Sequence, residues 1–195
     1  MKLYKYDIRN LNDKEYIKWY SLMNGGKQRR VDRLHFVEDK KRTVSGEMLA
    51  RKAISEWCGV AQKSINFLLD EYGKPYVKDL PVEFNISHSG NIVVCAVDDS
   101  PIGVDIEQIR PIDLKIAKRI FSDKELLYLF GHLPMEQDFN NTTDVKILTR
   151  FFELWTAKEA YGKCIGVGIY NGELQLSDCI EILLEEYVIS IYKQL

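Results

Sequence analysis

The chain lacks most features that would mark an extreme class. Among its 195 residues there are five prolines, four cysteines and three histidines. Cys58, Cys95, Cys164 and Cys179 form no CxxC pair or other metal spacing, which leaves free thiols in a reducing cytosol as the expectation. With only His35, His88 and His132, a zinc site is not expected. The longest apolar run, 92–97, is far shorter than the roughly 20 residues a bilayer span needs. The N-terminus, MKLYKYDIRN, alternates like a strand and carries no signal core. A cytoplasmic location without a membrane partner is therefore expected. A net charge of −2 gives no one-signed surplus for nucleic acid. There is no GxxxxGK[ST] loop, and Gly166-Val167-Gly168 lacks the third glycine of a dinucleotide fingerprint.

What is present is ordinary for a soluble globular chain, with 46% hydrophobic and 29% charged residues. A chain this long buries about 70% of its unfolded surface, so it needs neither disulfides nor a structural metal. The pattern predicts a strand over 3–8 and a helix from Asn12, capped with Glu15, to Met23, closed by Gly25-Gly26. Val44, Met48, Leu49, Ala53, Ile54 and Trp57 fall at helical spacing and mark a core helix ending at Cys58-Gly59. Gly46 inside it suggests close packing or a ligand's approach. A strand over 64–69 and a turn at Tyr72-Gly73-Lys74-Pro75 follow. Strands over 83–87, 92–97 and 102–107 then read as a meander. Helices are expected over 114–121 and from the Ser122–Glu125 capping box to Phe130, then a polar connection over 131–145. Asn171-Gly172 signals a hairpin between 168–170 and 173–176, and strands over 180–184 and 187–192 close the chain. Strands and helices in this order mean α+β.

The segment 150–163, RFFELWTAKEAYGK, organises the rest. It predicts a helix unbroken until Gly162. Trp155, Glu159 and Lys163 recur at i, i+4, i+8 and share one stripe. By itself this describes a solvated face with a Glu–Lys pair. In Gly103-Val104-Asp105-Ile106-Glu107 the period of two sends both carboxylates to one face, their Cα atoms roughly 6.5 Å apart. Two such charges repel by about 3 kcal/mol at an effective dielectric of 20. Adding Glu159 makes a cluster that suits a hard cation, although a solvent-facing strand edge also accommodates Asp105 and Glu107. His88 lies between two serines after a strand, a place for phosphate or for a capped turn. Lys27, Arg29, Arg30, Arg33, Lys40, Lys41 and Arg42 form a local basic stretch, either a solvated helix face or a phosphate patch.

Taken together, YGKP (72–75), FNISHSG (84–90), IGVDIE (102–107) and LWTAKEAYGK (154–163) resemble, in order and spacing, the motif set of the 4′-phosphopantetheinyl transferases of the Sfp type. The resemblance runs from about residue 1 to about 170. It implies a fold: a pseudo-dimer of two similar α+β halves, 1–103 and 104–195, with the active site between them. It implies an activity: transfer of phosphopantetheine from coenzyme A to a serine of an apo acyl- or peptidyl-carrier protein, releasing 3′,5′-adenosine bisphosphate. It implies a monomer that uses Mg²⁺ or Mn²⁺ and binds no nucleic acid.

By motif match, Asp105, Glu107 and Glu159 would hold the metal. Lys158 and Lys163 would neutralise phosphate oxygens, and with Glu159 they make up the expected catalytic set. Ser87 and His88 would bind phosphate, His88 the 3′-phosphate together with Lys27, Arg30, Arg42 and Thr43. Lys74 and Pro75, in the Tyr72–Pro75 turn, would line the adenine. Either Glu159 or a water on the cation would take the serine proton. The segment 112–149 would face the carrier, with Ile116 and Phe121 either docking it or lying in the core. The chain ends some tens of residues before family members usually do, which implies a shortened second half. Competing readings are a coenzyme A binder that has lost transfer and an unrelated Mg²⁺-dependent nucleotide hydrolase.

Overall fold

The structure is a computed structural model and describes residues 1–71, 73–170 and 172–194. Tyr72 of the expected adenine-lining turn and Asn171 of the expected hairpin turn lie outside the described residues. The chain divides into two compact units, Met1–Ile102 joined by Gln194, and Gly103–Lys193.

The first unit packs helices on a three-stranded antiparallel sheet. Its elements are β1 (Lys2–Asp7), α1 (Asp13–Ser21), α2 (Gly25–Asp32), α3 (Val37–Cys58), β2 (Leu68–Leu69), β3 (Pro75–Tyr76), β4 (Glu83–Ser89) and β5 (Ile92–Asp98). The sheet order is β1-β5-β4. β5 is buried along its whole length, as the middle strand of a covered sheet should be. Asn12 caps α1 as the sequence predicts, its side chain accepting from Glu15 N. Gly25-Gly26 does not simply end α1. It opens α2, because Asn24 caps that helix by accepting from Lys27 N. α3 lies on the sheet, and a Cβ at Gly46 would meet Ile86 Cγ2 at 3.3 Å, so the glycine marks close helix–strand packing. The predicted strand over 64–69 shrinks to Leu68–Leu69, paired with β3.

The second unit begins on β6 (Ile102–Gln108) and continues through α4 (Ala117–Ile120), α5 (Asp123–Phe130), α6 (Val145–Ile165), β7 (Cys179–Leu184) and β8 (Tyr187–Lys193). Its sheet has the order β6-β8-β7. The expected meander is therefore corrected: β6 does not pair with β5 but starts a second sheet. The expected strands at 168–170 and 173–176 are irregular backbone leading into a short 3-10 turn, Leu176–Asp178. The connection 131–145 is anchored at its centre, where Phe139 is buried and packs edge-on against Phe130. Ile116 and Phe121 pack with Leu114, Ala117, Phe151 and Phe152. Of the two residues weighed as a carrier-docking surface, Phe121 is core and Ile116 is half-buried against it.

α6 is longer than predicted at both ends. Asp144 caps its start, and Gly166, at φ 76°, ends it in the left-handed conformation that suits glycine. Gly162 does not break the helix. It is buried, and a Cβ there would lie 2.3 Å from the Gly168 carbonyl, so its smallness lets the chain fold back on the helix. Gly103 plays the same part on β6. A Cβ there would lie 1.9 Å from Ala160 O and 2.6 Å from Cys164 N. Both are backbone atoms that cannot swing aside. Replacing Gly103 by Ala should force α6 off β6 and cost about 3 kcal/mol of stability. Denaturant unfolding checks this, and an unchanged midpoint would contradict the close approach.

Candidate active site

α6 crosses the sheet of the second unit, and its contacts place each functional group. Over β8, Thr156 Oγ1 and Ser190 Oγ share a buried hydrogen bond of 2.7 Å. Over β6, residues 160–164 press on Gly103. Because strand side chains alternate, Asp105 and Glu107 share the Gly103 face and look toward α6. The solvent-edge alternative is thereby excluded for Asp105, which is 4% exposed. Lys163 Nζ reaches across from α6 and donates to Asp105 Oδ1 at 2.5 Å.

Glu159 stands one helical turn before Lys163. Burial pushes its carboxyl above the usual range, with Asp105 and Glu107 adding to the rise and Lys163 opposing it. The three carboxylates and one ammonium thus feel one another's charge. Lys163 is paired with Asp105 and also acts on the charge of Glu159. The aromatic half of α6 fixes this arrangement. Phe151 stacks on Trp155 at 5.9 Å and meets Phe152 edge-on at 5.3 Å, and both phenylalanines are fully buried.

The donor set suits a hard divalent cation: it is all carboxylate oxygen, and a cation relieves the repulsion that raises Glu159. Among the described residues, no three His, Cys, Asp or Glu side chains stand together in a ligating group. The positive charge beside Asp105 is that of Lys163. Asp105, Glu107 and Glu159 are carboxylates of the kind such an ion takes, and they would have to draw together to hold it.

Lys158 is 1% exposed, 2.9 Å from Glu125 Oε1, and donates to the Gly172 carbonyl at 2.5 Å. Glu125 is the N3 residue of the α5 capping box. Its Oε2 accepts from Ser122 N, and its Oε1 also accepts from Leu174 N. Lys158 therefore ties α6 to the start of α5 and to residues 172–174. The ammonium is enclosed and ion-paired within the second unit.

In the first unit the expected anion-binding residues cluster in part. Arg42 donates to the Gly90 carbonyl at 2.7 Å and pairs with Asp39, so it holds the β4–β5 turn. Thr43 Oγ1 donates to the Asp39 carbonyl. Ser87 and His88 are not in a tight turn, because β4 continues to Ser89. Their side chains leave opposite faces of the strand, with Ser87 buried and His88 exposed. Arg30 is exposed on α2, and Lys27 on the same helix pairs with Glu47 at 2.6 Å. Lys74 and Pro75 line a cleft of about 340 Å³ with Asp70, Tyr76, Val82, Glu83 and Phe84. Lys74 N donates to Asp70 Oδ1 there, which shapes the cleft through backbone.

Comparison with known proteins decides the family. Residues 10–100 match the family model described as 4'-phosphopantetheinyl transferase, N-terminal, and residues 101–190 match that of the 4'-phosphopantetheinyl transferase superfamily. The chain is 40% identical over 171 residues to 4'-phosphopantetheinyl transferase Sfp of Bacillus subtilis (strain 168), covering 87% of this chain and 72% of that protein. The chain belongs to the 4′-phosphopantetheinyl transferases of the Sfp type. It is 41% identical over 144 residues to 4'-phosphopantetheinyl transferase gsp of Aneurinibacillus migulanus, covering 74% and 56%. Against 4'-phosphopantetheinyl transferase HetI of Nostoc sp. the identity is 38% over 147 residues, covering 72% and 58%. Among the described residues no helix of the transferase is long and apolar enough to cross a membrane.

Two groups of the transferase went unread in its sequence. One is the Lys27–Glu47–Arg51 cluster described below. The other is an acidic pair at the far end of α6. Glu181 faces α6, since it lies opposite Ser190 in the β7–β8 register. Burial first, then Glu153, pushes its carboxyl up to about 7. Tyr128 Oη donates to Glu153 at 2.6 Å. A raised carboxyl holds its proton in the folded state where the unfolded chain has released it. This group therefore lowers stability as pH rises from the ordinary carboxylate range to about 7, and the loss persists above that. Glu181→Gln should be as stable as the parent at pH 4. At pH 8 it should be more stable by about 1 kcal/mol, a figure reduced because the half-buried carboxyl is partly screened by solvent. Thermal melts at the two pH values check this, and equal melting points at pH 8 would contradict it.

Proposed function

We propose that the transferase moves the 4′-phosphopantetheine of coenzyme A to a serine of an apo acyl- or peptidyl-carrier protein and releases 3′,5′-adenosine bisphosphate. The observation that carries this reading is the face of β6 and α6 on which Asp105, Glu107, Glu159 and Lys163 share one electrostatic environment. The serine Oγ attacks the pyrophosphate phosphorus that bears the pantetheine arm. The bond from that phosphorus to the bridging oxygen breaks, and the nucleotide leaves with the bond's electrons. The catalytic demand is positioning and neutralisation of charge.

Glu159 is placed to take the serine proton, directly or through a water. Lys163, which pairs with Asp105, supplies positive charge to the leaving phosphate. Mg²⁺, or Mn²⁺ in its place, supplies further positive charge to the pyrophosphate when bound by Asp105, Glu107 and Glu159. Lys27, Arg30, Thr43 and His88 bind the 3′-phosphate, with Arg42 holding the turn beyond His88 and Ser87 serving a phosphate oxygen. The cleft at Lys74 and Pro75 takes the adenine. Lys158 supports α6 and does not touch the substrate.

The test is to mix the protein, coenzyme A and Mg²⁺ with each of several apo carriers and follow 3′,5′-adenosine bisphosphate by chromatography. Release only when a carrier is present supports transfer. Release without any carrier would point to a nucleotide hydrolase, and no release with any carrier to a binder.

A further inference from the structure

Arg51 is the most completely engaged side chain in the first unit. An arginine has five N–H donors, and four of them make hydrogen bonds here. Nε donates to Glu47 Oε1 at 2.9 Å, and Nη2 forms an ion pair with the same oxygen at 2.7 Å. Nη1 donates to the carbonyls of Gln62 and Ile65, and Nη2 also to the carbonyl of Leu22. The guanidinium is thus pinned to three stretches of backbone and cannot turn. Phe67 lies under it, 5.1 Å from its centre.

Glu47 inherits that fixity. Its side chain is 2% exposed, and its two oxygens are divided between partners. Oε1 takes a hydrogen bond and an ion-pair contact from Arg51, while Oε2 accepts from Lys27 Nζ at 2.6 Å. Lys27 stands on the first turn of α2, its side chain partly open to solvent, and its ammonium lies 5.8 Å from the Phe67 ring centre. A lone lysine of four methylenes has wide freedom. Here one of its three N–H bonds is held by an immobile carboxylate, and the side chain is partly open to solvent. If Glu47 only balanced Arg51, one oxygen would suffice, and α2 would have no need to place a second cation on the other.

We infer that Glu47, locked by Arg51, is a positioning residue that aims the Lys27 ammonium at the 3′-phosphate of coenzyme A. The inference rests on the proposed reading of Lys27 as a ligand of that phosphate. Glu47 touches no substrate. It acts by removing, before binding, the freedom that Lys27 would otherwise lose on binding.

The experiment compares the whole protein with its variants Lys27→Ala, Glu47→Ala, Glu47→Gln and Lys27→Ala/Glu47→Ala. The substrates are coenzyme A and dephospho-coenzyme A, which lacks the 3′-phosphate. Lys27→Ala should raise KM for coenzyme A by about tenfold. Glu47→Gln, which keeps the shape, should raise KM by about threefold to tenfold and lower kcat much less. The double variant should be no worse than Lys27→Ala, because Glu47 acts through Lys27. With dephospho-coenzyme A all of these differences should vanish.

An unchanged KM in Lys27→Ala would overturn the reading of Lys27 itself, and the inference with it. A raised KM in Lys27→Ala beside an unchanged KM in both Glu47 variants would overturn the inference alone. So would equal losses on both substrates with a lowered melting point, since these mark Glu47 as only a structural partner of Arg51. Glu47→Gln covers the case in which Glu47→Ala does not fold.

Discussion

Replacing Glu159 by Gln should reduce phosphopantetheine transfer by about a thousandfold or more while leaving coenzyme A binding nearly intact. The carboxyl is placed by α6 against β6, where burial and the charges of Asp105 and Glu107 raise its proton affinity. Gln keeps the shape and removes both the charge and the proton acceptor. Stability should not suffer, because the ionised carboxylate is what burial and its neighbours disfavour. Loss of activity would therefore report on chemistry. The groups proposed to hold the 3′-phosphate and adenine all belong to the first unit, so affinity for coenzyme A measured by calorimetry should change by only a few fold. Activity within tenfold of the parent would remove Glu159 from the mechanism.

Replacing Lys158 by Ala should cost about 3–5 kcal/mol of stability, the usual result of leaving one partner of a buried pair alone. The stranded group would be Glu125, 4% exposed, whose Oε1 would keep only the long bond from Leu174 N. The Gly172 carbonyl would lose its 2.5 Å donor as well. A longer apolar replacement, Lys158→Met, fills the space but still strands the carboxylate. The combination Lys158→Met/Glu125→Gln should recover much of the loss, because it removes the unpaired charge. Transfer by that double variant, corrected for the folded fraction, should lie within about tenfold of the parent, as expected for a support that touches no substrate. If it folds at parental stability and transfer still falls a thousandfold, Lys158 serves the phosphate directly.

These two residues show how much the sequence could reveal. The electrostatic neighbours of Glu159 were legible because they follow simple periods: two along β6 for Asp105 and Glu107, and four along α6 for Lys163. The ion pair of Lys158, its neighbour in the same motif, was not legible because its partner Glu125 is 33 positions away. No spacing rule links an α5 cap to the interior of α6. The capping box at Ser122 was readable, but it used only one oxygen of Glu125, and the other decides where Lys158 points.

The same division runs through the fold. Caps at Asn12 and Ser122 and the strands around 85, 95 and 105 follow from local chemistry. That β6 belongs to a second sheet does not, because strand pairing is a long-range choice. Gly103 and Gly162 looked like a strand residue and a helix breaker. They are places where backbone meets backbone, which only the packed chain shows. Glu47 and Arg51 were hidden in a core helix, where a buried charged cluster looks like two ordinary polar residues.

The central claim is that this chain moves phosphopantetheine onto a carrier. The most direct measurement is the intact mass of an apo carrier protein after incubation with the chain, coenzyme A and Mg²⁺, followed by peptide mapping of the modified residue. The expected result is a gain of one phosphopantetheine on a single serine, abolished by a chelator and by Glu159→Gln. An unchanged mass across acyl- and peptidyl-carrier proteins, with the folded chain binding coenzyme A, would contradict it.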